Sequence, residues 1–214
     1  MVEPTREARL ARLEETLLYL CMPAIGGLAA FVDSVCRAGV DAVQIRDRSL
    51  DTRTELQAIG VATRAARSVS ALVSVNDRAD LAVIGRADIL HLGQTDLTPH
   101  DARRIVGPEM LIGVSTHTAE QARAAAENPD VDYFCAGPVY ETPTKPEREA
   151  AGLEQVEAAT AVAGDKPWFA IGGINLETIS EVVSAGADRI CVVRAIVEAA
   201  DPAAMATQLR AKLP

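Results

Sequence analysis

The chain has 214 residues, of which 49% are apolar and only 3% aromatic, and its formal charge is −9. That length suits one domain, residues 1–214, with a sizeable core. The acidic balance argues against a nucleic-acid partner, whose phosphates need a basic face.

In chain order, residues 1–15 read as a polar N-terminal extension or helix. Glu3 to Glu15 mixes acids and bases without an apolar core, so it is neither a signal peptide nor a membrane span. No other run approaches the roughly 20 apolar residues that a bilayer crossing needs, and a cytoplasmic protein without a membrane partner is expected. Strand candidates follow at Thr16–Met22, Ala42–Ile45, Leu72–Val75, Ile89–Leu92, Leu111–Ser115, Tyr133–Ala136, Trp168–Ile171 and Ile190–Val193. Between them lie apolar stripes at helical spacing: Leu28, Phe31, Val32 and Val35; Leu56, Ile59 and Ala62; Leu153, Val156 and Ala159. A last helix is expected over roughly Ala203–Leu213. Ala38-Gly39-Val40-Asp41 and Ala185-Gly186-Ala187-Asp188 share one pattern, in which a helix stops at glycine and an acid precedes a strand. Cys21, Cys36, Cys135 and Cys191 sit singly in apolar stretches and read as small buried hydrophobes of a reducing compartment. One connection, Gly137 to Gly152, breaks the run of short loops, either as a binding loop or as a solvated excursion.

With so few aromatics, alanine, valine, leucine and isoleucine must build the core, as in a parallel sheet buried on both faces. Polar clusters begin where at least six of the apolar runs end. An open doubly wound sheet concentrates its ligand contacts at one switch point. Clusters after this many strands indicate an α/β fold of the (β/α)8 barrel class, which builds its active site at the carboxyl ends of its strands.

Four constellations carry chemistry. Asp77 and Asp96 open successive loops, and neighbouring parallel strands are about 4.8 Å apart, so both carboxylates can converge on one Mg²⁺, a hard cation that keeps waters and takes few protein ligands. Taken singly, they also suit a helix N-cap and a turn. Gln44, Arg46 and Arg48 alternate with Ile45 and Asp47, and period-2 spacing sends the three to one side as a pocket for an oxyanion such as pyrophosphate. Gly172-Gly173 follows the seventh strand and Val193-Arg194 the eighth, where phosphates commonly dock on bare amides. His91 and His100 suit packing or capping, whereas His117 stands as a secondary contact near Ser115.

Together these residues resemble the thiamine phosphate synthase family over nearly the whole chain, from about Leu17 to Pro202. Gln44-Ile45-Arg46-Asp47-Arg48 is similar to the Gln-x-Arg-x-Lys segment that binds the pyrimidine diphosphate. Asn76-Asp77-Arg78 resembles the Asn-Asp-Arg motif, and His91-Leu92-Gly93-Gln94-Thr95-Asp96 the His-x-Gly-Gln-x-Asp motif. The resemblance implies that Asn76 contacts substrate and that Asp77 and Asp96 bind Mg²⁺. It implies Ser115 beside the pyrimidine and Thr142-Pro143-Thr144-Lys145 as a loop whose threonines hold the thiazole phosphate and whose lysine faces the diphosphate. Gly173, Val193 and Arg194 complete the phosphate site, and Arg46, Ser115 and Lys145 are the catalytic candidates. Arg48 replaces the usual lysine, exchanging a point donor for a planar fork. Arg194 stands where many relatives carry serine.

The implied partners are small phosphorylated molecules, joined with release of pyrophosphate, and a homo-oligomer is left open. A thiazole tautomerase on the same barrel is the nearest alternative; it would use His117 as base but has no need of a diphosphate clamp. A non-catalytic sensor of thiamine precursors is the alternative from another class.

Overall fold

The computed structural model describes residues 3–142 and 149–214. Eight parallel strands close into a barrel in sequence order: β1 (Leu18–Met22), β2 (Ala42–Ile45), β3 (Leu72–Asn76), β4 (Ile89–Leu92), β5 (Leu111–Thr116), β6 (Tyr133–Ala136), β7 (Trp168–Ile171) and β8 (Ile190–Val192). Closure is made by β1 against β8, with Leu18 opposite Ile190 and Leu20 opposite Val192. The helices are α1 (Arg6–Glu15), α2 (Leu28–Arg37), α3 (Thr52–Ser68), α4 (Ala79–Ile84), α5 (Pro99–Val106), α6 (Ala119–Glu127), α7 (Gly152–Val162), α8 (Ile179–Ser184), α9 (Arg194–Val197) and α10 (Pro202–Arg210). Among the described residues, no helix is long and apolar enough to cross a membrane.

Two cores follow from the alternation of strand side chains. Outward-facing Leu20, Val43, Ile45, Val73, Leu90, Ile112 and Phe134 pack under the helices. Inward-facing Tyr19, Cys21, Ala42, Leu72, Ile89, Leu111, Tyr133, Cys135, Phe169 and Cys191 fill the barrel. None of the four cysteines forms a disulfide among the described residues, and three of them are buried. Burial pushes the fourth, Cys36, up to about 12, with Asp41 and Asp33 adding to it, so it carries no thiolate at neutral pH.

The first candidate strand begins two residues later than expected. Thr16 ends α1, its hydroxyl donating to the Arg12 carbonyl (2.8 Å). Thr5 caps α1 at its start, and the helix lies across the amino end of the barrel, inserting Leu13 among the inward-facing side chains. The polar sequence of residues 1–15 thus hides one apolar anchor and one buried ion pair. The Arg9 guanidinium meets Asp88 at 3.2 Å, with side chains only 3% and 0% exposed, and also donates to the Glu109 carbonyl. Arg6 pairs with Asp132 at the foot of β6.

An acid just before a strand has a physical reason at three strand starts, and Asp41 of the glycine-then-acid pattern is one of them. Asp41 accepts from the Leu17 and Leu18 amides, Asp88 from Val73 and Asp132 from Ile112, so each acid ties down the start of its neighbouring strand. Asp188 shares the sequence pattern but is exposed. Arg9→Met strips Asp88 of its closest cation while keeping bulk, and is expected to cost about 3 kcal/mol, read as a lower midpoint in urea unfolding.

Candidate active site

The carboxyl ends of the strands gather two groups of side chains. The first is acidic and cationic. Asp77 follows β3 with φ +60°, a left-handed backbone uncommon for a side-chain-bearing residue, and its amide donates to the His91 carbonyl (2.9 Å). It does not cap the next helix; Arg78 occupies that position. Its carboxylate is 23% exposed and accepts from Arg48 at 3.0 Å. Asp77's pKa is raised, first by burial and then by the neighbouring Asp96 carboxylate, against the lowering effect of Arg48. Asp96 in turn accepts from the Gly93 amide (2.7 Å), so the turn role open to it in sequence is fulfilled and leaves its second oxygen for other partners. Two carboxylates in close range, one of them paired with an exposed arginine, form a set that fits a hard divalent ion. Among the described residues no group of three or more His, Cys, Asp and Glu side chains gathers as a metal cage.

The alternation expected through Arg48 ends earlier. β2 stops at Ile45; the Arg46 amide still donates to Met22 (2.9 Å), but Arg48 lies in a turn with its side chain 71% exposed. It reaches Asp77 from that turn rather than from the pleat. Ile45 points into the outer core under the helices, which leaves only its backbone for the mouth of the barrel. Asp47 folds back on its own turn, accepting from the Ser49 amide and hydroxyl. Gln44 is buried inside the barrel, its amide engaged by Cys21, Tyr19 and Ser74. Asn76 ends β3 and is buried.

The second group surrounds a cavity of about 320 Å³ at the ends of β5 to β8, lined by Ser115, His117, Thr142, Gly173, Val193 and Arg194 among others. That volume is at the lower end of small-molecule sites. The cavity holds the expected phosphate-side residues and Ser115, and none of Gln44, Arg46, Arg48, Asn76, Asp77 or Asp96. Gly173 has φ +68°, and a Cβ there would sit 2.6 Å from the Tyr140 Cβ. Its glycine is therefore demanded by the neighbouring loop as well as by any ligand: Val139 and Tyr140 amides donate to the Ile171 and Gly172 carbonyls, lacing the ends of β6 and β7 together. Arg194 pairs along its own helix with Glu198 at 3.6 Å. His117 donates to the Gly137 carbonyl through Nδ1 (2.6 Å). Pro143, Thr144 and Lys145 lie outside the described residues.

Sequence reasoning missed a third set, beneath the mouth. The Tyr19 and Tyr133 hydroxyls meet at 3.1 Å, and His91 bridges Tyr133 (2.9 Å) to the Ser115 hydroxyl (2.9 Å). His91 thus does more than pack, and His100 sits exposed near Asp130. The available signal was Gly113: a Cβ there would fall 2.1 Å from the Tyr133 ring, so this strand glycine makes the space the tyrosine fills. Gly113→Ala is expected to displace Tyr133, lower stability by about 1–3 kcal/mol as overpacking does, and weaken the Ser115 contact, measurable by unfolding and by a crystal structure of the variant.

A (β/α)8 barrel with a carboxylate pair and a ligand-sized cavity at its carboxyl ends defines a barrel enzyme. A family model described as thiamine monophosphate synthase matches residues 18–196. Thiamine-phosphate synthase of Acidothermus cellulolyticus is 52% identical over 206 residues, spanning 95% of this chain and 97% of its own. That of Saccharopolyspora erythraea is 54% identical over 212 residues, spanning 95% of each. The solved thiamine phosphate pyrophosphorylase from Pyrococcus furiosus superposes with a TM-score of 0.84 at 29% identity, over 94% of this chain and 96% of that one. The chain belongs to the thiamine monophosphate synthase family, and it is a transferase.

Proposed function

We propose that the chain joins 4-amino-2-methyl-5-hydroxymethylpyrimidine diphosphate to 4-methyl-5-(2-phosphoethyl)thiazole, forming thiamine phosphate and releasing pyrophosphate. The observation that carries this reading is the division of the mouth into two halves: the Asp77, Asp96 and Arg48 cluster on one side, and the cavity carrying Ser115, Gly173, Val193 and Arg194 on the other.

In this reading the first half receives the diphosphate. Arg48 is held at the mouth by Asp77 and is exposed, so it can turn to a substrate without unpacking the core. Arg46 lies at the end of β2 beside it, and Lys145 is the further cation assigned to the diphosphate. Asp77 and Asp96 hold Mg²⁺, which when bound neutralises negative charge on the diphosphate. The second half receives the thiazole phosphate on Gly173, Val193 and Arg194, with Thr142 and Thr144 assigned to the same phosphate.

The bond between the pyrimidine methylene carbon and the diphosphate oxygen breaks, and its electron pair leaves with pyrophosphate. The electron-rich aminopyrimidine spreads the resulting positive charge until the thiazole nitrogen donates its lone pair and forms the new C–N bond. No proton need be abstracted. Positioning of the two rings and cations aimed at the departing charge supply the acceleration. This accounts for a site rich in charge and glycine, in which no general base is required.

The assay is pyrophosphate release with Mg²⁺. Release is expected only when both ring substrates are present; turnover of a thiazole phosphate alone would instead indicate an isomerase. Asp77→Asn keeps the size of the side chain and tolerates the left-handed backbone. It is expected to lower kcat about a hundredfold while far-ultraviolet dichroism stays unchanged. A wild-type rate in that variant would remove Asp77 from the metal's ligands.

A further inference from the structure

Six side chains make one continuous path through the barrel interior to the cavity: Ser74, Gln44, Tyr19, Tyr133, His91 and Ser115. Only the last lines the cavity. The direction of the path follows from accounting for each proton. Gln44 Oε1 accepts from the Cys21 thiol (3.1 Å), which commits its Nε2 to donate to Tyr19 (3.1 Å) and to Ser74 Oγ (3.3 Å). Ser74 is fully buried and also lies within hydrogen-bonding reach of Tyr19. The Tyr19 oxygen has two lone pairs and takes both donors. Its own proton then goes to Tyr133, the Tyr133 proton to His91 Nδ1, and the imidazole proton on Nε2 to Ser115 Oγ.

In the opposite sense Tyr19 would donate to Ser74. That serine would then accept from both Gln44 and Tyr19, and its buried proton would have no acceptor among the described residues, a costly arrangement. Burial keeps both phenols well above their ordinary pKa, so each retains its O–H at working pH.

We propose that this chain of hydrogen bonds runs one way and fixes the Ser115 hydroxyl as a donor into the cavity. Tyr19, Tyr133 and His91 are accordingly positioning residues for the substrate atom that Ser115 meets, and that atom is an acceptor such as a ring nitrogen lone pair. The inference rests on the reading that a nitrogen heterocycle lies against Ser115. It extends that reading by assigning the polarity of the contact and the residues that set it.

The direct test is ¹⁵N NMR of the ligand-free protein, with the His91 signals assigned by their loss in His91→Gln. The expected result is a single neutral tautomer with its proton on Nε2; a proton on Nδ1 overturns the proposal. This measurement needs no substrate, so it fails or succeeds independently of the proposed reaction. Tyr133→Phe removes the donor to Nδ1 at nearly constant shape, and is expected to mix the tautomers and lower kcat/KM about tenfold, the worth of one hydrogen bond. In a Ser115→Ala background the same substitution should cost nothing further, because its effect passes through the serine. Full additivity of the two losses overturns the proposal. Should Tyr133→Phe fail to fold, the tautomer of the unaltered protein decides.

Discussion

Closure of a parallel eight-stranded sheet is the constraint on which the rest of this molecule depends. A closed sheet has no edge, so every strand must send its carboxyl end to the same mouth, and its inward side chains must fill a space of fixed width. The first consequence brings Asp77, Asp96, Ser115, Gly173 and Val193 together from loops far apart in sequence. The second decides where the few aromatic side chains go. Tyr19, Tyr133 and Phe169 meet inside the barrel with ring centroids 5.4–6.0 Å apart, and Gly113 yields its side-chain volume to one of them. The opposite end is stopped by α1, whose Leu13 enters the barrel while Arg9 neutralises the buried Asp88.

Charge is arranged against the molecule's overall sign. A protein of net charge −9 repels anions at long range, so the phosphorylated substrates proposed for it would require cations collected within a few ångströms. Arg48 meets this need in an economical way. Burial and the neighbouring Asp96 carboxylate both disfavour the charge on its partner Asp77, and the arginine offsets part of that cost while remaining exposed. An incoming anion and cation can each take one member of the pair, so binding exchanges one set of compensated charges for another. The planar guanidinium matters here, since it can grip two oxygens at once where a lysine would offer a point charge.

The sequence reading succeeded where the signal was local and periodic. Ala42–Ile45, Ile89–Leu92, Tyr133–Ala136 and Trp168–Ile171 are strands with the bounds expected, because a buried parallel strand is a continuous apolar run ended by polar or glycine residues. It faltered where backbone geometry changed within a motif. Gln44, Arg46 and Arg48 look like one alternating face, yet the strand ends at Ile45 and the three go separately to the interior, the strand end and a turn. It gave Tyr19 and Tyr133 no role and read His91 as packing or capping, since an aromatic residue in an apolar run has the same local pattern whether its polar atom is idle or central. Their partners lie 114 and 42 residues apart, a separation that no short window can see. Nor did the polar run of residues 1–15 disclose that Leu13 and Arg9 would be buried.

The barrel interior is also where stability and function pull in different directions. Burying two phenols, an imidazole and a carboxamide gains nothing over well-packed aliphatic side chains unless every donor and acceptor is satisfied. A barrel built for stability alone would carry leucine and isoleucine there, as it does in the outer core. The polar path instead begins at Gln44 under the acidic half of the mouth and ends at Ser115 on the wall of the cavity, spanning the two halves beneath the floor. Each of its members is immobilised by strand backbone on a closed sheet, so reorienting any one hydroxyl means breaking a bond at both neighbours. In the proposed arrangement the floor of the site holds its polarity as firmly as the barrel holds its shape, and a ring bound against it would meet hydrogen-bonding groups already facing the required way.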